Sequence, residues 1–265
     1  MLLNISHTTR YTYNQPMNYS LQKVRLRPTS SAMQTVLDWK LDIAGGKDEL
    51  SYTDHHQNTV DLVSSIPGTT SLEITASGTV ETHDTHGVFG CVYDAAPLWY
   101  FLQDTTLTNR GKGIMRLSNL ISKDAPTLDE LHTMSTDILK AVPYTLGKTY
   151  SDTPAEAALN GAHGVCQDHA HIFIAAARNA GIPARYVSGY LMMNDRIDQD
   201  ASHAWAEVHL DTIGWVGFDV SNGISPDERY VRIATGLDSQ DAAPISGLRL
   251  GSSDETMIVS LQVQQ

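Results

Sequence analysis

Residues 164–181 read GVCQDHAHIFIAAARNAG. Ala170, Phe173, Ile174 and Ala177 recur at helical spacing, so the stretch predicts an α-helix that starts at about Cys166 and runs to Ala180. Gly181 supplies a left-handed stop, and Pro183 forbids continuation. Working outward, residues 184–192, 203–211, 214–220 and 255–263 are strand-like. Two helices are expected ahead of Cys166. Thr127 and Glu130 form a capping box for residues 128–142, whose apolar side runs through Leu128, Leu131, Ile138 and Val142. Thr153, Pro154 and Glu156 open a shorter helix ending at Gly161. Helices first and an antiparallel sheet after them make this half α+β.

Residues 1–105 have a different texture. LLNISHTTRYTYN at 2–14, LQKVRLRP at 21–28, TVLDWKLDI at 35–43, TVDLVSSI at 59–66 and SLEITASGTVET at 71–82 are period-two segments. Turn signals at Asn14–Pro16, Gly45-Gly46 and Pro67-Gly68 separate them, as in an all-β sandwich or barrel. The expected organisation is a β-sandwich-like N-terminal domain over 1–105 and an α+β domain over 106–265 that keeps the C-terminal strands.

The 265 residues carry 18 Lys+Arg against 30 Asp+Glu, a formal charge of −12. That balance argues against nucleic acid and anionic membrane as partners. No apolar run is long enough for a membrane span, and MLLNISHTTRYTYN lacks the basic and apolar regions of a secretory signal. With two cysteines, Cys91 and Cys166, a disulfide framework is excluded, and a reducing, cytoplasmic setting is expected.

Three segments carry chemistry. GVCQDHAH at 164–171 places Cys166 on the first turn of its helix, where unpaired N–H groups and the positive end of the helix dipole favour a thiolate and can hold an oxyanion. Gly164 ahead of it permits close approach of a substrate to the backbone. SHAWAEVHL at 202–210 is a strand with His203, Trp205, Glu207 and His209 on one face. GWVGFDVSNG at 214–223 is another, with Trp215, Gly217 and Asp219 sharing a face. A short hairpin between the two would bring Asp219 beside His203. Cys166, His203 and Asp219 then supply nucleophile, base and orienter.

GVCQDHAH, SHAW and GWVGFD resemble the three motifs of the transglutaminase-like superfamily of papain-like cysteine enzymes. LNISHTTRYTYNQPMNYSLQKVRLRP, AGIPARYVSGYL and the short β tail are similar to the bacterial subfamily that carries its own N-terminal β domain. The resemblance implies a papain-like core with Cys166 as nucleophile, His203 as base and Asp219 as orienting carboxylate. It also implies acyl transfer on a peptide or amide substrate, with hydrolysis favoured over amine transfer and no cofactor. One departure is visible: where the family commonly follows this Asp with Pro-Thr, Val220-Ser221 stand here.

Plainer readings apply to the neighbours. Cys91, with no histidine or acid at triad spacing, reads as structural. Trp205 is a packing residue or a wall shielding the thiolate–imidazolium pair, and Glu207 and His209 are surface or hydrogen-bonded strand residues. Tyr144 is a candidate second oxyanion donor beside the Cys166 N–H, or a packed aromatic. His163, Cys166, Asp168, His169 and His171 offer five ligands within nine residues, but helical geometry does not converge them, so no metal is expected. Asp195, Asp198 and Asp200 read as a solvated loop rather than a calcium site. The alternative to an enzyme is a peptide-binding module with a residual triad, and the intact Cys, His and Asp argue against it.

Overall fold

Along the first strand Leu3, Ile5, His7, Thr9, Tyr11 and Tyr13 turn inward while the residues between them are less buried, the two-residue period of a half-buried strand. The computed structural model describes residues 1–91, 96–122, 125–199, 201–251 and 254–265. Asp200 of the acidic loop lies outside them.

The N-terminal strands are β1 (Leu2–Tyr13), β2 (Tyr19–Arg27), β3 (Gln34–Ala44), β4 (Gly46–Thr53), β5 (Thr59–Ser65), β6 (Ser71–Thr82) and β7 (Val88–Gly90). Then come α1 (Lys112–Ser118), α2 (Leu128–Ala141), α3 (Ala155–Gly161) and α4 (Cys166–Asn179). The remaining strands are β8 (Ala184–Leu191), β9 (Asp198–Gln199), β10 (His203–Leu210), β11 (Gly214–Phe218), β12 (Tyr230–Gly236), β13 (Ile245–Leu250) and β14 (Glu255–Gln264). The architecture is α+β, with β sheets first and helices packed on an antiparallel sheet after them.

Two N-terminal sheets, ordered β3-β6-β1-β14-β9 and β13-β2-β5-β4, share a core of Tyr11, Tyr13, Met17, Val24, Leu26, Val63, Leu72, Ile74 and Ala76. The other end of the β1 inner face does different work. Leu3 and Ile5 pack with Tyr190, Val231 and Ile233 of β8 and β12, so one strand joins the sandwich core to the second half.

That second half is the sheet β12-β8-β10-β11-β7 with α4 laid across it. From Asp168 to Arg178 every residue of α4 is buried. Ile172, Phe173 and Ile174 are fully enclosed, each contributing on the order of 1.5–3 kcal/mol of apolar burial. At its C-terminal end Arg178 donates to the carbonyls of Phe101, Ala184 and Leu237 and to Thr108 Oγ1. Gly181 takes the left-handed φ of 86° expected of it.

Several elements differ from the sequence expectation. The C-terminal strand does not close the second sheet: β14 pairs with β1 from Asn4↔Gln264 to Tyr13↔Glu255, and β13 pairs with β2. Conversely β7, before residue 105, forms the edge of the second sheet beside β11. The sheets therefore interleave across the expected boundary, because strand alternation fixes a face but not a neighbour. β4 was hidden in the Gly45-Gly46 turn signal; all but its first residue are exposed, and an edge strand with no buried face has no apolar period to read. β12 lies where no strand was expected. α1 has no capping residue of its own: the Glu156 carboxylate, from α3, accepts its Gly113 and Ile114 N–H groups at 2.8 and 3.0 Å.

Among the described residues no helix is long and apolar enough to cross a membrane.

Candidate active site

Cys166 is the first residue of α4 and is partly buried. The helix start is fixed by Asp168, whose Oδ2 accepts the Val165 N–H at 2.8 Å and the Thr149 hydroxyl at 2.7 Å. A Cβ on Gly164 would lie 2.7 Å from the Asp168 Cβ. The glycine thus admits the capping carboxylate, a role the sequence did not announce. In the first helical turn backbone N–H groups lack a carbonyl four residues back, so those at Cys166 are free for an oxyanion.

The β10–β11 hairpin forms as its turn chemistry predicts, with Ala206↔Phe218 and Leu210↔Gly214 in register. It carries His203 at the head of β10 and Asp219 just past the end of β11. Asp219 Oδ2 meets His203 Nε2 at 2.6 Å, which leaves Nδ1 for the Cys166 thiol, a group close enough to be among the causes that raise the His203 pKa. Cys166, His203 and Asp219 are thus brought together in series.

Asp219 is fully buried. Burial alone would raise its pKa, but donation from His203, from Asn222 Nδ2 at 2.7 Å and from the Tyr230 hydroxyl at 2.7 Å holds it below the usual carboxylate value. For His203 burial favours the neutral ring, yet Asp219 and Cys166 outweigh it and lift its pKa to about 10. Asn222 and Tyr230 were not singled out in the sequence. Asn222 sits only three residues from Asp219 and a turn signal could have found it; Tyr230 arrives from another strand and had no local signal.

Val220-Ser221, the departure from Pro-Thr, closes a tight turn through the pairs Asp219 N–H to Ile224 O at 2.8 Å and Ile224 N–H to Asp219 O at 3.2 Å. Val220 is buried, and Ser221 Oγ bonds His169 Nδ1 at 2.8 Å. The turn is held without the proline.

Trp205 is 1% exposed. It packs with Val187, Leu191 and Tyr230, its ring centroid 6.4 Å from that of His203. It supports the imidazole from behind. Only the His203 end of the polar β10 face reaches a cleft: Glu207 is buried between Arg185 and Arg232 at 2.6 and 3.0 Å. Tyr144 is half exposed and lines a cavity of about 400 Å³ with Cys166, His203, Arg196 and Ser221. A second cavity of about 380 Å³, lined by Ser151, Gln167, Ser188, Ser239 and Gln240, shares the same cysteine and histidine. The cleft therefore runs past the sulfur on both sides.

The suspected ligand cluster disperses. Asp168 caps α4, His169 Nε2 bonds the Val142 carbonyl at 2.7 Å, and His171 Nε2 accepts the Ser239 N–H at 3.1 Å. Burial lowers the pKa of both rings, to about 4 for His171. Cys91, read as structural, is exposed, whereas Cys166 is partly buried beside His203, so access favours Cys91 and the partner favours Cys166. Limited alkylation at about pH 6, where an ordinary thiol is almost wholly protonated, is expected to modify Cys166 ahead of Cys91, since the His203 imidazolium beside its sulfur stabilises negative charge there. Peptide mapping reads the order; labelling that follows exposure would remove Cys166 as the activated thiol.

Residues 115–220 match the model of the transglutaminase-like superfamily, and residues 3–81 that of the bacterial transglutaminase-like N-terminal region. An uncharacterized protein of Mycobacterium leprae is 27% identical over 98% of both chains. An uncharacterized protein of Mycobacterium tuberculosis is 35% identical over 52% of this chain and 48% of its own. Among solved structures, the one named "putative cysteine protease" from Cytophaga hutchinsonii superposes with a TM-score of 0.74 at 25% identity, covering 100% of this chain and 92% of that one.

Proposed function

This chain belongs to the transglutaminase-like superfamily, and from that premise we propose that it is a thiol-dependent amidase or peptidase acting through Cys166, His203 and Asp219. The observation that carries the reading is the buried 2.6 Å contact of Asp219 with His203, whose other ring nitrogen serves Cys166.

In this reading the thiolate adds to the amide carbonyl, and the oxyanion is held by the N–H groups at the start of α4, with the Tyr144 hydroxyl as second donor. Imidazolium gives its Nδ1 proton to the departing amine as the C–N bond breaks, leaving a thioester. Water, deprotonated by the now neutral His203, adds to the thioester, and as the C–S bond breaks the acid leaves and the thiolate–imidazolium pair is restored. Asp219 keeps Nε2–H pointed at itself throughout, and Tyr230 and Asn222 keep Asp219 in place. An amine in place of water would give transfer from the same thioester. The cleft's opening on both sides of the sulfur gives that second nucleophile a way in, so amine transfer stands as the second reading.

The testing experiment is hydrolysis of a peptide-amide library as a function of pH, with and without an added primary amine. His203 has a folded pKa of about 10, well above the 6.5 of an ordinary imidazole. The ring therefore stays protonated well above neutrality, and its proton is lost only as pH rises through the folded value. The alkaline limb of kcat/KM is expected near pH 10. A limb near 6.5 would show that Asp219 and Cys166 do not hold the proton, and absence of thiol-dependent turnover would favour the binding module.

A further inference from the structure

On the far side of the loop that walls the cleft, three side chains converge. His55 and His56, at the tip between β4 and β5, and Asp241, in the loop after β12, bring one ring nitrogen each and a carboxylate oxygen within 4.8 Å of one another. His56 is buried and Asp241 half-buried, while His55 is exposed. We infer that these residues form a binding site for a divalent transition-metal ion, zinc by its donor chemistry, which joins the N-terminal sandwich to the wall of the active-site cleft.

The donor set is two imidazoles and one carboxylate, which suits a borderline ion such as zinc and not calcium, which takes oxygen ligands alone. Both sides are built before any ion arrives. Asp54 Oδ1 accepts the N–H groups of His56 and Asn58, both at 2.9 Å, and Asn58 exchanges two 2.8 Å hydrogen bonds with the Thr235 backbone. The tip is therefore pinned to β12. On the other side Asp241 Oδ2 accepts the Leu237 N–H at 3.0 Å, and Asp238 ties the N–H groups of Gln240 and Asp241.

His56 Nε2 already meets Asp241 Oδ2 at 2.7 Å. Among the described residues the buried His56 Nδ1 has no hydrogen-bond partner, so no other hydrogen bond there competes for the orientation of this ring. Ligands on arms of about 2.0–2.2 Å sit roughly 3.3 Å apart at tetrahedral angles. The exposed His55 closes by side-chain rotation, giving up its 2.9 Å contact with the Tyr100 hydroxyl. A fourth position is left for water. Ser239 and Gln240, from the same loop as Asp241, line the cavity beside Cys166, so an ion here would fasten that wall to the sandwich.

The test uses cobalt(II) as probe on the full chain carrying Cys91→Ser and Cys166→Ser, which together remove both competing thiols. One equivalent is expected to bind, with visible ligand-field absorption and no thiolate charge-transfer band, and zinc should displace it. His55→Gln, at an exposed position where folding is not at stake, should weaken binding at least about tenfold, as should Asp241→Asn. Thermal melts of the metal-free variants control for folding. Lack of saturable binding up to about 100 µM would mean that His56 and Asp241 are an ion pair only, since engaged sites of this donor type bind well below that. Binding unchanged in His55→Gln, or abolished by Cys166→Ser, would equally overturn the assignment.

Discussion

Replacing His203 by alanine is expected to lower kcat/KM on an amide substrate by on the order of 10³–10⁴, since one ring supplies both the partner of the thiolate and the proton for the leaving amine. In the structure both duties fall on the same imidazole, with Nε2 committed to Asp219 at 2.6 Å. The substitution also strips a buried carboxylate of its cation, which in general costs about 3–5 kcal/mol. Here Tyr230 and Asn222 still donate to Asp219, so the loss of stability should be smaller. Thermal melts separate the two effects, and His203→Gln, which fills more of the space, serves if the alanine variant does not fold. A folded variant retaining more than a tenth of parental kcat/KM would remove His203 from the reaction.

The second large effect is expected at Asp219. Asp219→Asn keeps the shape but places a donor where His203 Nε2–H needs an acceptor, favouring the wrong tautomer. A cysteine paired with imidazolium depends less on that help than a serine does, so the expected loss is on the order of 10–10³ in kcat. KM should change little, because Asp219 is fully buried and does not reach the cleft. The alkaline limb should also move down from about pH 10, because the hydrogen bond to Asp219 is one of the causes that raise the His203 pKa. A structural bystander would leave that limb where it is. Full activity with an unmoved limb would mean that Asp219 is not the third member.

What could be read from the chain alone was local. The helix from Cys166, the capping box at Thr127 and Glu130 and the β10–β11 hairpin each carry their signal within about a turn or a strand of sequence. Cys166 and His203 stand on such elements and Asp219 just past one; the hairpin brings Asp219 to His203, while Cys166 joins them through the packing of α4 on β10. What could not be read depends on partners distant in sequence. β14 and β1 are at opposite ends of the chain, and Glu156 caps α1 from 42 residues away. Tyr230 reaches Asp219 from a strand with no alternation to announce it, since six of the seven residues of β12 are buried. That Gly164 makes room for the Asp168 side chain is revealed only when the helix is built. His55 and His56 gave no signal, since their third partner is Asp241, in the other half of the chain.

The central claim is that Cys166 forms a thioester with the acyl part of an amide substrate. Intact-protein mass measured after rapid acid quench of a turning-over reaction tests it most directly. The account predicts a gain equal to the acyl fragment, located on Cys166 by peptide mapping, absent from Cys166→Ala and formed far more slowly when His203 is replaced. Turnover with no adduct at any quench time, persisting in Cys166→Ala, would contradict it.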